Sequence, residues 1–304
     1  MKKILAISLI VIFGLASSSS RAALNVVASI GDFADVAQRV GGDHVVAKSL
    51  TRGSEDPHFI GAKPSLMKAV QKADVYVAVG LELEVGWLPV ILQGSRNPKI
   101  QPGSPGFVDA SEGVSIIEKV EGAVDRSQGD IHPEGNPHYY MDPEALVVVS
   151  KHLADKFSEL DPANKDDYQK NALSFKHQMD GKIAEWRTKL KPFKGAPVVT
   201  YHRNMDYFLV RFNINLFGEV EPKGGIPPSP RYLDELAGKM RKSEVRLVLY
   251  QPYYDADASR QLAKKAGGVA LELPTEAGGS LQAKDVISKF DLIVTALATN
   301  LGKK

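Results

Sequence analysis

Short apolar runs alternate with helical patterns through the first half of the chain. Four runs rich in Val, Ala and Leu predict strands, at residues 24–29, 44–50, 74–79 and 106–110. Helical spacing of apolar residues predicts helices at residues 32–40 and 64–72. Pro64 suits the first turn of the second helix, since its missing N–H would have no partner there. This alternation favours a mostly parallel sheet with helices on both faces.

The middle of the chain carries its longest helical pattern. Residues 142–144 (DPE) combine an N-cap, a proline at the first helical position and a first-turn acid, which predicts a helix from there to Leu160. Asp161-Pro162 ends it, because proline disfavours helix in the preceding residue. Apolar residues then recur at roughly helical spacing from residue 164 to 190. Such a helix would be about 40 Å long, and its central position favours a connector between two lobes.

The second half repeats the alternation of the first. Strands are predicted at residues 196–201, 213–220, 245–251 and 269–273, and helices at 230–242, 256–265 and 285–300. The predicted fold class is therefore α/β, with two lobes of mostly parallel sheet flanked by helices and joined by one long linking helix. We expect an N-terminal lobe over residues 23–160, the linking helix over 161–191 and a C-terminal lobe over 192–304.

The first 22 residues are typical of a secretory signal. Two lysines precede an almost unbroken apolar run at residues 4–15, and Ser20-Arg21-Ala22 offers small residues for cleavage. The run is shorter than the ~20 residues of a membrane-spanning helix, which argues against the alternative, a membrane anchor. We therefore expect a mature chain that is exported to the periplasm without stable insertion into the membrane.

Composition narrows the chemistry further. The chain has no cysteine, which excludes disulfides, thiolate ligands and lipidation of a cysteine after the apolar run. Removal of residues 1–22 takes away three basic residues and no acid, so the mature chain is nearly neutral. A concentrated basic face, the footprint of nucleic-acid binding, is therefore not indicated.

Three histidines stand at loops beside predicted strands and helices. His58, His138 and His202 are separated by 80 and then 64 residues, so no single helix or hairpin carries them. Open α/β sheets bind ligands at the carboxyl ends of their strands. If the three rings converge there, they form a three-nitrogen site of the kind that zinc favours. His132, six residues before His138, is interpreted as an exposed loop histidine, with an accessory ligand as the alternative.

These residues carry a family resemblance that spans almost the whole mature chain. The matching stretches are residues 56–59 (DPHF), 63–65 (KPS), 73–76 (ADVY), 80–84 (GLELE), 136–138 (NPH) with Asp142-Pro143, and Tyr201-His202. In their order and spacing they resemble the metal-specific (zinc/manganese) solute-binding proteins of ABC importers, called cluster A-I or cluster 9. The resemblance implies two α/β lobes joined by one long helix, with a metal held in the cleft between them.

The resemblance also implies which residues hold the metal. His58 and His138 would come from the N-terminal lobe and His202 from the C-terminal lobe. Manganese-binding relatives carry a carboxylate at the third position, so a histidine there favours Zn²⁺ as the transported ligand, with Mn²⁺ as the alternative. Glu221 is expected to orient His202 by accepting a hydrogen bond from its other ring nitrogen.

The fourth ligand is open at this point. Relatives often place an acid in the loop after the last short strand, and Glu276 is the predicted ligand there. Glu272, Gln251 and a water molecule are the alternatives.

The function implied is capture of a divalent metal in the periplasm and its delivery to the membrane permease of an ABC importer, by a monomer that is not an enzyme. Two other functions are kept as alternatives. A zinc-dependent hydrolase also uses three histidines, but the sequence lacks the HExxH motif that would supply a general base. The second alternative function is a metal-binding adhesin.

Overall fold

The first of two parallel sheets is built from the N-terminal third of the chain. The computed structural model describes residues 22–119, 129 and 132–302; the predicted signal segment lies outside this range except for Ala22. The strands are β1 (Leu24–Ala28), β2 (Val45–Ser49), β3 (Val75–Ala78) and β4 (Phe107–Asp109), in the order β2-β1-β3-β4. All three pairings are parallel. The helices α1 (Gly31–Gly41), α2 (Pro64–Val70) and α3 (Leu88–Ser95) connect them.

The second sheet repeats this order in the last third of the chain. Its strands are β5 (Pro197–Thr200), β6 (Asn215–Glu219), β7 (Leu247–Tyr250) and β8 (Val269–Glu272), in the parallel order β6-β5-β7-β8. Its helices are α6 (Asp206–Phe212), α7 (Pro230–Lys242), α8 (Ala256–Ala266) and α9 (Val286–Leu301). Two sheets of four parallel strands flanked by helices confirm the predicted fold class. In each sheet the strand order reverses beside its first strand, where the carboxyl ends of strands form a crevice.

Two long helices lie between the two sheets in the order of the chain. They are α4 (Pro143–Leu160) and α5 (Lys165–Leu190), the second of which has 26 residues and is about 39 Å long at 1.5 Å per residue. The predicted N-cap of α4 is present, since the Asp142 side chain accepts a hydrogen bond from the backbone N–H of Glu144. The division into lobes at residues 160/161 and 191/192 stays a prediction. None of the described helices is both long and apolar enough to cross a membrane.

Two short helices were not predicted from the sequence. They are α3, of eight residues, and α6, of seven. In each the apolar residues form one continuous run, at residues 88–92 and 207–210, so the helical period is not visible in the sequence. The helix α6 begins four residues after His202, so it shapes the surroundings of a predicted ligand.

A buried ion pair ties the C-terminal helix to the first sheet. Helix α9 packs against α5 and α1, and its buried residues share one hydrophobic core with residues of both sheets. Within it Lys289 is fully buried, and its Nζ donates to Asp32 Oδ1 at 2.5 Å and to the carbonyl oxygens of Tyr140 and Thr275, both at 3.2 Å. The second oxygen of Asp32 accepts from the backbone N–H of Ala277 at 2.8 Å. This pair satisfies two buried charges that would each be costly alone.

The backbones of the two lobes approach closely beside this pair. A Cβ atom on Gly31 would lie 2.2 Å from the carbonyl oxygen of Ala277, and one on Gly53 would lie 2.4 Å from the backbone nitrogen of Gly279. Only glycine fits at these two contacts. The loop after β8 is therefore seated against residues that follow β1 and β2, which sets the position of one sheet relative to the other.

We expect Lys289→Met to lower the free energy of unfolding by about 3–5 kcal/mol, because Asp32 would keep a buried charge without its counter-ion. Urea denaturation monitored by circular dichroism measures the change. Lys176→Met is the control: Lys176 pairs with Asp180 on the exposed face of α5, and surface pairs contribute at most about 1 kcal/mol. The double variant Asp32→Asn/Lys289→Met should recover much of the loss. A Lys289→Met protein as stable as the control would contradict this account.

Candidate metal centre

Hydrogen bonds fix the loops of His58 and His138, and strand β5 positions His202. The backbone N–H of His58 donates to Asp56 Oδ1 at 3.0 Å, and Trp87 Nε1 fastens the same loop by donating to the carbonyl oxygen of Pro57 at 2.9 Å. His138 opens a 3₁₀ turn before α4, and its backbone N–H donates to Asn136 Oδ1 at 2.9 Å. His202 follows directly on β5 and its Tyr201 neighbour. The prediction that these histidines lie at loops beside the strands is confirmed.

The three imidazoles meet in the crevice between the sheets. His58, His138 and His202 each offer one ring nitrogen, and the three atoms lie within 4.8 Å of one another. Their ring centres are 5.0 Å apart for His58 and His138, 5.6 Å for His58 and His202, and 5.4 Å for His138 and His202. Tetrahedral zinc with bonds of about 2.0–2.1 Å to nitrogen puts ring centres roughly 5 Å apart. The observed spacing therefore suits one ion bound by all three rings.

The Nδ1 atom of each ring has a hydrogen-bond partner of its own. His58 Nδ1 lies 2.8 Å from Asp56 Oδ1, and His202 Nδ1 lies 3.0 Å from Glu221 Oε2, the contact expected from the sequence. His138 Nδ1 lies 2.9 Å from the hydroxyl of Tyr140. A carboxylate can only accept, so it holds the proton of a neutral ring on Nδ1 and leaves a lone pair on Nε2. The site thus presents Nε2 atoms, the usual arrangement for metal-binding histidines.

Burial keeps the ring of His138 neutral. His138 is 1% exposed, and desolvation, followed by the neighbouring charges of His58 and His202, holds its pKa well below the ordinary histidine value. Burial alone would raise the pKa of Asp56, but its hydrogen bonds to His58 and the charges of His58 and His202 outweigh that effect, so the pKa lies below the ordinary value. A neutral His138 ring can bind a metal without first losing a proton.

His132 lies beside this group, and its interpretation as an exposed loop histidine was wrong. Its side chain is partly buried, and its ring centre is 5.4 Å from that of His58. Its Nδ1 lies 3.0 Å from the carbonyl oxygen of Leu81. The turn that includes Gly135 folds the chain back between His132 and His138, so six residues of separation become a short distance in space.

The residues predicted as a possible fourth ligand differ in their exposure to solvent. Glu276 is fully buried, and its Oε2 accepts from the Thr51 hydroxyl at 2.9 Å. Burial, and then the charge of Asp32, raises the pKa of Glu276 well above its ordinary value. Gln251 is buried and its Oε1 accepts from Asn204 at 3.0 Å, whereas Glu272 is exposed on β8. In the described part of the chain the close group of ligand atoms comprises the three histidines alone, and the fourth ligand stays a prediction.

Two residues of the site were not singled out from the sequence. Asp56 belongs to the DPHF stretch, but neither it nor Tyr140 was predicted to contact a ligand histidine. Both stand two residues from the histidine they contact. A polar side chain at that spacing from a predicted ligand is the signal that could have found them.

Three relatives match this chain over more than four-fifths of its length. It is 25% identical over 275 residues to the "Metal ABC transporter substrate-binding lipoprotein ScbA" of Streptococcus cristatus, covering 86% of this chain and 85% of the relative. It is also 25% identical to the "Manganese ABC transporter substrate-binding lipoprotein scaA" of Streptococcus gordonii, covering 82% and 78%. The "Zinc-binding lipoprotein AdcA" of Streptococcus pneumoniae is 23% identical, and the match spans 54% of its length.

Solved structures share the fold. A crystal structure of ZnuA superposes with a TM-score of 0.77 at 21% identity, covering 92% of this chain and all of that one. The Mn-bound periplasmic metal binding protein from Candidatus Liberibacter asiaticus superposes with a TM-score of 0.72 at 18% identity, covering 91% and 99%. Residues 26–300 match the family described as "ZnuA: Zinc-uptake complex component A periplasmic". The chain therefore belongs to the ZnuA family of periplasmic zinc-uptake components.

Proposed function

We propose that this protein captures a divalent transition metal, Zn²⁺ in preference to Mn²⁺, and delivers it to the membrane permease of an ABC importer. The observation that carries the proposal is the cluster of three buried imidazoles with ring nitrogens within 4.8 Å of one another. His58, His138 and His202 are the proposed ligands. Membership of the ZnuA family and the names of the relatives support the transport role.

The donor atoms support zinc as the transported metal. Imidazole nitrogens suit Zn²⁺, whereas the harder Mn²⁺ is better matched by carboxylates and water. Relatives are named for zinc in one case and for manganese in another, so the family alone does not select between them. In this chain the carboxylates of Asp56 and Glu221 are hydrogen-bonded to Nδ1 atoms of proposed ligand rings, which favours a nitrogen-rich set.

A bound metal would also satisfy a buried nitrogen. In the described part of the chain no donor lies within hydrogen-bond reach of His138 Nε2, which is buried. A buried polar atom without a partner costs about 1–3 kcal/mol. Coordination of a metal ion removes this cost, and because His138 is already neutral, its binding requires no loss of a proton. The site is thus prepared for a cation before one arrives.

The proposed place of work is the periplasm. The basic start, apolar run and small residues of residues 1–22 support export by a cleavable signal. The relatives are named lipoproteins, whereas this chain contains no cysteine to carry a lipid. We therefore propose a monomer that carries its metal through the periplasm to the permease.

The alternative functions have weaker support in the site. A zinc hydrolase needs a general base beside the metal-bound water. The carboxylates of Asp56 and Glu221 are each engaged by a ligand histidine instead, which favours binding over catalysis. No feature of the site favours the metal-binding adhesin kept as the other alternative.

We expect the purified, chelator-treated mature protein to bind one equivalent of Zn²⁺ tightly, and His58→Ala, His138→Ala and His202→Ala each to weaken binding by at least about 100-fold, since each removes one of three proposed ligands. Competition with a chromophoric chelator measures the affinity. His177→Ala, on the exposed face of α5, is the control and should bind as the wild type does. Wild-type affinity in all three ligand variants would refute the site.

Acid should destabilise the metal-free protein through His138. The pKa of His138 is depressed in the folded state and ordinary, about 6.5, in the unfolded state. Below about pH 6.5 His138 is therefore protonated in the unfolded chain but not in the folded chain. The contribution of His138 to the free energy of unfolding, present above that pH, is lost as the pH falls. Urea unfolding at about pH 7.5 and about pH 5.5 measures the loss. The loss of unfolding free energy between the two pH values should be smaller in His138→Asn than in the wild type. An equal loss in the two proteins would contradict the assignment of this effect to His138.

A further inference from the structure

His132 lies next to His58, on the same connection between β4 and α4 that carries His138. Its ring centre is 5.4 Å from that of His58, within the same range as the separations among the three clustered rings. We propose that His132 is the fourth ligand of the transported zinc and a determinant of its selection over manganese. This inference rests on the proposed function of the site.

The hydrogen bond of His132 determines which of its nitrogens can bind a metal. A carbonyl oxygen can only accept, so Nδ1, 3.0 Å from the carbonyl oxygen of Leu81, carries the proton. In the neutral ring the lone pair then lies on Nε2, which is buried. The carboxylates of Asp56 and Glu221 impose the same tautomer on His58 and His202. His132 thus presents the same donor atom as the proposed ligands.

The carbonyl group that holds His132 belongs to an unusual turn. Gly80, Leu81 and Glu82 follow one another with φ angles of +80°, +53° and +63°. Left-handed backbone is strained at Leu81 and Glu82, because neither residue is a glycine. The turn is held by Glu84, a buried residue whose carboxylate accepts from the backbone N–H groups of Val79 and Gly80 at 2.5 and 3.1 Å. The protein therefore maintains a strained turn that directs a carbonyl oxygen at His132.

The chemistry of a fourth imidazole fits the proposed cargo. Zinc prefers four tetrahedral ligands, and four neutral nitrogens favour Zn²⁺ over Mn²⁺ more strongly than three nitrogens and an oxygen do. The ring contact of His132 is with His58, so binding requires its ring to shift toward the ion held by the other histidines. Glu276, the ligand predicted from the sequence, is instead hydrogen-bonded to Thr51 across the lobe contact.

Long-range ¹H–¹⁵N NMR of histidine side chains tests this assignment directly. With one equivalent of Zn²⁺, we expect the Nε2 resonances of His58, His132, His138 and His202 all to move to metal-bound positions, each assigned by its single substitution. If the Nε2 resonance of His132 stays at its metal-free position while the other three move, His132 is not a ligand. If none of the four moves, the proposed function fails together with this inference.

Metal titration of variants gives an independent measure. We expect His132→Ala to lower Zn²⁺ affinity by at least about tenfold, a loss as large as that of a residue orienting a ligand, and to lower Mn²⁺ affinity less. His177→Ala controls for the removal of a histidine far from the site. Glu276→Gln tests the rival ligand and should leave zinc affinity unchanged. Wild-type zinc affinity in His132→Ala, or a loss in Glu276→Gln alone, would overturn the proposal without affecting the three-histidine site.

Discussion

The buried ion pair between Asp32 and Lys289 is the contact on which the geometry of the site depends. Asp32 lies on α1, directly after the first strand, and Lys289 lies on the last helix, so the pair joins the two ends of the chain at the interface of the lobes. His58 and His138 come from one side of this interface and His202 from the other. Three ring nitrogens can stay within 4.8 Å of one another only if the two sheets keep one relative position. The close glycine contacts at Gly31 and Gly53 restrict that position further.

In the site, one nitrogen of each ring faces the proposed metal position, and the other nitrogen has a hydrogen-bond partner. The proposed ligand atoms are imidazole nitrogens, whereas oxygens of Asp56 and Glu221 accept hydrogen bonds from the other nitrogen of two of these rings. This arrangement supplies negative charge near a bound cation without placing oxygen atoms on it. It favours a metal that prefers nitrogen, and it fixes the ring orientations before the metal binds. A transport protein gains from such preparation because little has to be rearranged on binding.

The elements whose apolar residues recur at a regular spacing could be predicted from the sequence. The eight strands, the long helix α5 and the loop positions of His58, His138 and His202 were predicted from apolar spacing and from the order of motifs. Lys289 carried no signal, because a lysine in an amphipathic helix pattern indicates a solvated face, and its burial depends on Asp32, 257 residues away. His132 was misjudged for a similar reason: its exposure depends on how a loop folds against Leu81, which local spacing does not encode.

The central claim is that one metal ion binds between the lobes with His58, His138 and His202 as its common ligands. Anomalous X-ray diffraction from crystals of the zinc-loaded protein, measured on both sides of the zinc absorption edge, tests it most directly. The account predicts a single strong peak about 2.0–2.1 Å from one nitrogen of each of the three rings. A zinc peak elsewhere on the protein, with none between these rings, would contradict it.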